Sequence, residues 1–385
     1  MKIIKIKSFF KNNKKVEITG NILTLTLSLF AIIANNVENL STHYQKLIYQ
    51  KIYISNKIIA QSLKHFTQET LMCFFFLIVA IELKKEFANG IFKERKNILL
   101  PLICAASGMI IPIIIFLLFN IHDSSSYKGF GIPCATDIVF AIMIFNLVAK
   151  NTFSKTAKIF LLSVSVFDDI GAIILIGLFY SKKINIKFFV LITIGIMAIA
   201  LCKKYKQNNI LSYLTCGIII WTGLYYSGIH TSISGIIVGF FLPHKISEKT
   251  FKFLHPIVNL TILPCFGFTA CDIYFDKFNI NSLVNPITLG IILGLVIGKQ
   301  VGILGSAFII TKSKMIQKKI NFNEVYISSI LAGIGFTMSL FIADIAFVQD
   351  VNKNNNAKIG LIIASLLSSI LAIFFTKIYE KNYKN

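Results

Sequence analysis

Apolar and polar residues are grouped along this chain in long blocks, not at the two-residue period of a half-buried strand. Apolar runs lie near residues 18–35, 62–83, 98–119, 131–149, 157–180, 187–202, 209–223, 228–242, 253–271, 286–311, 325–348 and 358–378. About 20 apolar residues carry a helix across the hydrocarbon core, and most of these runs approach that length. The pattern predicts an all-α polytopic membrane protein of about twelve helices, with residues 1–385 as a single membrane domain bearing short N- and C-terminal tails. The runs near 209–223 and 228–242 are the shortest, and the expectation for them is a tilted or partly embedded helix. Six lysines precede residue 16, and the apolar run behind them has no small-residue cleavage site. That combination reads as an uncleaved first helix and not as a signal peptide.

The loops orient the chain. With the N-terminus inside, the inside segments carry 27 basic residues and the outside segments 10, so both termini are expected in the cytoplasm. The cluster Lys182, Lys183 and Lys187 runs against this trend. The outside stretch Tyr44–Ser55 alternates partially and carries β-branched residues, which fits a hairpin or an irregular loop. Val351–Lys358, reading VNKNNNAK, is expected to be a solvated loop.

Composition changes little in this picture. The chain is 55% hydrophobic with a net charge of +22 and a mean hydropathy of +0.73. The charge does not indicate nucleic acid: Arg95 is the one arginine among 39 basic residues, and no basic stripe interleaves with aromatics on a soluble face. The seven cysteines are scattered through apolar runs with no CxxC pair, and read as small buried hydrophobes.

Four polar features interrupt the apolar background. Asp168 and Asp169 sit together in SVSVFDDIGAIIL, in the middle of a spanning run. A carboxylate there costs roughly 2.5–3.5 kcal/mol on insertion scales, so ionisable residues at such depth mark function by default. Neighbouring side chains on a helix point about 100° apart, so one carboxylate can face a cavity and the other a neighbouring helix. Such a pair suits a cation site with a proton-exchanging group beside it; pairing with lysines is the bland alternative. Asp137 follows Gly131 and Pro133 in GIPCATDIVFA, where a helix is expected to break. At a break it neutralises the N-terminal ends of half-helices, or it is a simple N-cap. Gly333, Gly335, Thr337 and Ser339 in GIGFTMSLFIAD mark a second candidate break, and paired breaks in corresponding halves point to a transporter site. Lys299, in LGLVIGKQVGIL, lies too far from either end of its run to snorkel, and either pairs structurally or carries a proton. Two smaller features are Glu82 and Glu86, one helical turn apart at the end of the second run, and His230. The acidic pair reads as a charged cytoplasmic funnel or a solvated helix end, and a lone histidine is more often a hydrogen-bonded interfacial residue than a sensor.

The strings ATDIVFA, FDDIGAIIL, GKQVGI, GIGFTMSLFIA, SGIHTSISGIIVGFFLP and LHPIVNLTILP together resemble the NhaA-type bacterial Na+/H+ antiporters, over essentially the whole chain. The resemblance implies twelve helices in a transporter domain, with two inverted-topology repeats and two crossing discontinuous helices, an architecture for which this family is a known example. By motif position it makes Asp168 and Asp169 the exchange pair that transiently holds Na+, Lys299 the partner of Asp168, and Asp137 the dipole-compensating carboxylate. Thr136, Pro133, Gly333, Gly335 and Thr337 belong to the discontinuous helices. Glu82, Glu86, His230 and His255 fall at the positions tied to the funnel and to pH response. The implied function is electrogenic, pH-regulated exchange of Na+ or Li+ for protons in a bacterial inner membrane, with the lipid bilayer as surroundings, no cofactor, no catalytic chemistry, no nucleic acid, and a homodimer through the 44–58 outside loop.

The chain departs from the family pattern in four places. Gln68–Glu69 replaces Asn-Asp, FGFTACD (Phe266–Asp272) replaces a string like FAFANAG, Phe251 and Lys252 replace an acid and a histidine, and Asp344 replaces a serine. The rival readings are another ion-coupled transporter or channel of similar architecture, and an intramembrane aspartyl protease. The protease pattern needs YD and GxGD on separate helices, whereas here Gly333–Gly335 is followed by Phe336 and the two aspartates adjoin.

Overall fold

The computed structural model of the chain describes residues 2–54, 59–89, 95–149, 152–181, 185–207, 209–275, 283–313 and 321–383. Residues 55–58 of the expected outside loop, and Lys182 and Lys183, lie outside the described residues. In chain order the helices are α1 (Lys2–Asn36), α2 (Glu38–Tyr49), α3 (Leu63–Ala88), α4 (Arg95–Phe119), α5 (Ile138–Ala149), α6 (Lys155–Phe179) and α7 (Ile186–Lys204). They continue as α8 (Ile210–Ser227), α9 (Ser232–Phe241), α10 (His244–Ala270), α11 (Pro286–Lys312), α12 (Phe322–Leu331), α13 (Phe336–Ala346) and α14 (Val351–Tyr383). A 3-10 stretch, Ser124–Cys134, precedes α5. Among the described residues, nine helices are long and apolar enough to cross a bilayer, and eleven if each of two bent pairs counts as one span. The short apolar helix α9 occupies the run near 228–242.

Local chemistry sets where these helices start and stop. Asn209, Asn285 and Asn321 each accept a hydrogen bond from the backbone N–H two residues on, capping α8, α11 and α12. Such caps satisfy donors that the first helical turn leaves open. Gly228 ends α8 in the left-handed conformation, with φ 83°, which glycine adopts without a Cβ penalty.

The chain forms two compact units. One comprises residues 1–88 and 176–272, the other 89–175 and 273–385. In the first unit Leu77, Ile81, Tyr213, Val238 and Ile262 belong to one buried core. Helix α9 lies almost against the backbone of α3: a Cβ on Gly235 would stand 2.0 Å from the Cys73 carbonyl oxygen. Small residues of this kind let membrane helices approach closely. In the second unit α11 approaches α4 in the same way, with a Cβ on Gly302 only 2.5 Å from the Ser107 carbonyl oxygen. That unit also holds both bent pairs, the 3-10 stretch with α5 (50°) and α12 with α13 (46°).

The hairpin expected within Tyr44–Ser55 forms only in part of that stretch, and the loop expected at Val351–Lys358 is absent. Tyr44–Tyr49 is helical, and a hairpin forms further along, with Lys51–Ile54 pairing antiparallel to Ile59–Ser62 and Lys51 opposite Ser62. The stretch Val351–Lys358 is not a loop but the first two turns of α14. Its polar residues are used rather than solvated: Asn355 exchanges hydrogen bonds with the Tyr274 backbone, and Lys358 is 1% exposed.

The first turn of α14 is also tied to the start of the 3-10 stretch. Asp123 accepts from the Ser125 N–H at 3.0 Å and from the Ser126 hydroxyl at 2.7 Å, and the Lys353 ammonium donates to it at 2.6 Å. Lys353, with these hydroxyls, holds the Asp123 carboxyl well below the usual carboxylate range. A depressed folded-state pKa stabilises the fold above the unfolded value, near 4, and that contribution fades as pH falls through the folded value. The expected outcome is a melting-temperature gap between the unsubstituted protein and Asp123→Asn that is constant from about pH 8 to pH 5 and narrows below about pH 4. Thermal melts across that range check it, and a gap that widens in acid would contradict the assignment.

Candidate functional site

The two breaks meet each other. Between the 3-10 stretch and α5 the chain runs extended through Ala135, Thr136 and Asp137. Between α12 and α13 it is unwound around Gly333 to Gly335. Each break exposes backbone groups that would be costly in a membrane interior, and the other break supplies partners. The Asp137 N–H donates to the Ile334 carbonyl at 2.7 Å. Asp137 Oδ1 accepts from the Val139 and Phe140 N–H groups at 3.2 and 3.1 Å, so the aspartate is indeed an N-cap. Its Oδ2 does more, accepting from the Thr337 N–H at 2.9 Å and from the Thr337 hydroxyl at the start of α13. One carboxylate thus serves two helix N-termini, where the helix dipole favours negative charge. Space forces glycine at position 333, where a Cβ would stand 2.7 Å from the Leu295 carbonyl oxygen; a Cβ on Gly335 would press on the Ser339 side chain. Pro133, inside the last turn of the 3-10 stretch, lies beside α11, where a Cβ on Gly294 would stand 3.0 Å from the proline ring.

A buried ion pair lies beside this crossing. The Lys299 ammonium donates to Asp168 Oδ2 and to the Cys134 carbonyl, and the lysine and aspartate side chains are both 0% exposed. Lys299 directly follows a π turn in α11, Gly294–Gly298, a local widening that often accompanies functional positions. Asp169, one residue from Asp168 on α6, is buried at 5% exposure. The Thr136 hydroxyl stands 2.6 Å from Asp168 Oδ2 and 2.7 Å from the Ala332 carbonyl oxygen. A hydroxyl has one proton to donate. With Asp168 ionised, the carboxylate and the carbonyl compete for it. With Asp168 protonated, the carboxyl can donate to Thr136 while Thr136 donates to Ala332, and the competition for the hydroxyl proton is relieved. The hydrogen-bond chain from α6 through the first break to the second therefore depends on the charge of Asp168.

The remaining sequence-predicted residues fall in the other unit. His255, 3% exposed, has its Nε2 3.4 Å from Glu17 Oε1, and the Phe251 ring packs on it with centroids 4.7 Å apart. Among the described residues, His255, Glu17, Lys85 and Glu86 are charged groups that act electrostatically on the Glu82 carboxyl. Glu82 is exposed and Glu86 half-buried. Lys84 turns away from them and donates to the Phe240 and Leu242 carbonyls at the end of α9. His230 has its Nδ1 2.9 Å from the Ser232 hydroxyl and its Nε2 3.9 Å from Glu69 Oε1. Glu69 also accepts from the Thr231 hydroxyl at 2.6 Å.

Sequence reasoning missed Glu17 as a neighbour of His255 and did not connect Glu69 with His230. It also missed two further buried ion pairs. Lys64 Nζ is 2.7 Å from Asp272 Oδ2, with Tyr49 bonded to the same oxygen. Lys358 Nζ is 2.6 Å from Asp344 Oδ1. A signal existed, since all four residues are ionisable groups in or beside apolar runs; which lysine meets which aspartate was not legible.

The family model described as Na+/H+ antiporter 1 matches residues 11–376. A Na(+)/H(+) antiporter NhaA of Pelagibacter ubique is 34% identical over 376 residues, covering 95% of this chain and 96% of the relative. The Na(+)/H(+) antiporter NhaA 1 of Clostridium beijerinckii is 37% identical over 395 residues, covering 99% and 97%. A Haemophilus influenzae Na(+)/H(+) antiporter NhaA is 33% identical over 384 residues, covering 97% and 94%.

Removing Lys299 would leave Asp168 buried without its cation, a loss that typically costs about 3–5 kcal/mol. Lys299→Ala is therefore expected to lower the melting temperature, and Asp168→Asn placed on top to restore part of it. A double-mutant cycle on purified protein checks this, and strictly additive effects would show that the contact carries no energetic coupling.

Proposed function

The chain belongs to the Na+/H+ antiporter 1 family, and we propose that it is a secondary carrier exporting Na+, or Li+, in exchange for protons at Asp168 and Asp169. The observation that carries this reading is the buried Asp168–Lys299 pair with the Thr136 hydroxyl held between Asp168 and the second break. An ionised carboxylate attracts a metal cation, and a protonated one releases it, so Na+ and H+ exclude each other at one site. Lys299 sharpens the competition, because a cation reaching Asp168 contends with an ammonium already seated there. Since the Thr136 bond to the second break changes with the charge of Asp168, site occupancy is transmitted to both half-helices. Alternating access about such a site couples the two gradients. Two inverted repeats with crossed discontinuous helices are the architecture this reading assigns to the chain.

The finer features follow from the same reading. Exchange moves net charge in each cycle, and Glu82, Glu86, His230 and His255 tune its dependence on pH. The grouping of His255 with Glu17 and of His230 with Glu69 supports that role. The protein is read as a multi-pass carrier of the bacterial inner membrane with both termini in the cytoplasm, pairing as a homodimer through the hairpin region. It is not read as an enzyme: the aspartates adjoin on one helix, and the relatives described above are named as antiporters.

The test is Na+- and Li+-driven ΔpH dissipation in everted vesicles across a pH series. The expected outcome is proton movement opposite to Na+, abolished in Asp169→Asn, which keeps side-chain size and removes the charge. Near-normal exchange by a purified, folded Asp169→Asn protein would overturn the assignment of the site.

A further inference from the structure

We propose that Asp344 is a positioning residue for the exchange site, pinning the far end of the broken-helix segment α13 to α14 through Lys358 and Asn354. The inference rests on the reading above that the two breaks frame the site.

Helix α13 is eleven residues long. Its N-terminal end sits in the break, where the Thr337 N–H and hydroxyl donate to Asp137. So short a segment is fixed in direction only if its other end is also held. Asp344 lies seven residues beyond Thr337, two helical turns and about 10 Å along the same face. Its Oδ1 accepts from the Lys358 ammonium at 2.6 Å and from the Asn354 side-chain amide at 2.8 Å. The aspartate and lysine side chains are 1% and 2% exposed.

The partner helix touches the break as well. A Cβ on Gly333 would stand 2.5 Å from the Ser368 hydroxyl of α14. Ser368 lies ten residues beyond Lys358, about 15 Å along the helix. Helix α14 therefore backs α13 as a splint, meeting the break at Ser368 and the far end at Lys358 and Asn354. Apolar packing alone lets a short helix slide or roll. A charge pair with an added amide donor fixes both the register and the rotation of α13, and with them where the Thr337 N–H points. The serine expected at position 344 from the family pattern lacks the charge to hold a buried ammonium. Asp344 thus supplies the matching half of a pair that this chain has built.

A positioning role differs from bulk stabilisation in what it moves. If the direction of α13 sets the geometry at the break, loss of the pair weakens Na+ binding in protein that is still folded. The experiment is a double-mutant cycle of Asp344→Asn, Lys358→Met and the two together, reconstituted in proteoliposomes. Initial exchange rates are read against Na+ concentration at fixed pH, with melting temperatures alongside. Each single change is expected to raise the Na+ KM about fivefold, with maximal rate per folded protein changed by less than about twofold. The neutral double variant is expected to return to within about twofold of the unsubstituted KM. A flat KM in both single variants, with only the melting temperature lowered, would overturn the proposal. So would a double variant no better than the worse single. Should the single variants not fold, Asn354→Ala decides, since it keeps both charges and removes one restraint. A KM raised about twofold supports positioning, and an unchanged KM overturns it. An unsubstituted protein with no Na+-driven exchange would sink the functional reading and this inference together, whereas normal exchange with a flat cycle would sink the inference alone.

Discussion

The structure depends on a rule of the membrane interior: a backbone N–H or C=O without a partner cannot be left there. The second unit breaks two helices in its buried interior, at Ala135–Asp137 and at Gly333–Gly335, and closes one break with the other. The Asp137 N–H meets the Ile334 carbonyl, and the Asp137 carboxylate meets the N-termini of both α5 and α13. Once two breaks satisfy each other, moving one segment alone strands polar groups of the other. A change at one is felt at the other, which is the property a carrier needs between an ion site and the helices that must rearrange.

Charge is tolerated in the interior of this fold by pairing. Among the described residues, three buried lysine–aspartate pairs lie within the units, Lys64 with Asp272, Lys299 with Asp168 and Lys358 with Asp344. A buried pair is a weak source of net stability, because desolvating two ions offsets much of their attraction. It is a strong source of geometry, because breaking it strands a charge. The three pairs use that property differently. Tyr49 shares the Asp272 oxygen with Lys64, tying the end of α2 to its unit. Asp344 is answered by two side chains of α14, whose polar first turns are otherwise occupied by Asp123, Tyr274 and Thr288. Asp168 shares its oxygen with the Thr136 hydroxyl, which has a second acceptor in the Ala332 carbonyl, so the charge of Asp168 bears on a hydrogen-bond chain that reaches both breaks.

Much of the fold was legible before any coordinates. Each predicted apolar run corresponds to a helix or a bent pair, and all but the short α9 meet the length of about 20 apolar residues that a bilayer crossing demands. The breaks were legible for a related reason: proline and glycine beside an aspartate or a threonine are local chemistry, and Gly131, Pro133, Gly333 and Gly335 announce themselves. The misreadings have a common cause. Val351–Lys358 looks like a solvated loop because asparagines and lysines normally seek water, yet here those side chains bond to Tyr274 and Asp344. The hairpin lies beyond Tyr44–Tyr49 because helix and strand propensities in so short a stretch differ by less than its tertiary contacts contribute, such as the Tyr44 hydroxyl on the Phe268 carbonyl.

The sequence by itself determined the class of fold, the approximate spans, the two interruptions and the identity of the ionisable residues placed at depth. These are properties of single segments facing one solvent, and hydropathy with local backbone chemistry suffices to state them. Tertiary structure alone decided which of those residues meet. That Asp137 caps two helices, that Thr136 stands between Asp168 and Ala332, that Lys358 and not a solvent-facing lysine answers Asp344, and that Glu17 reaches His255 are pairings over tens to hundreds of residues. They are set by which helices pack closely enough, through glycines such as Gly294, Gly302 and Gly333, to bring their polar groups within hydrogen-bond distance. No segment of the chain carries that information alone.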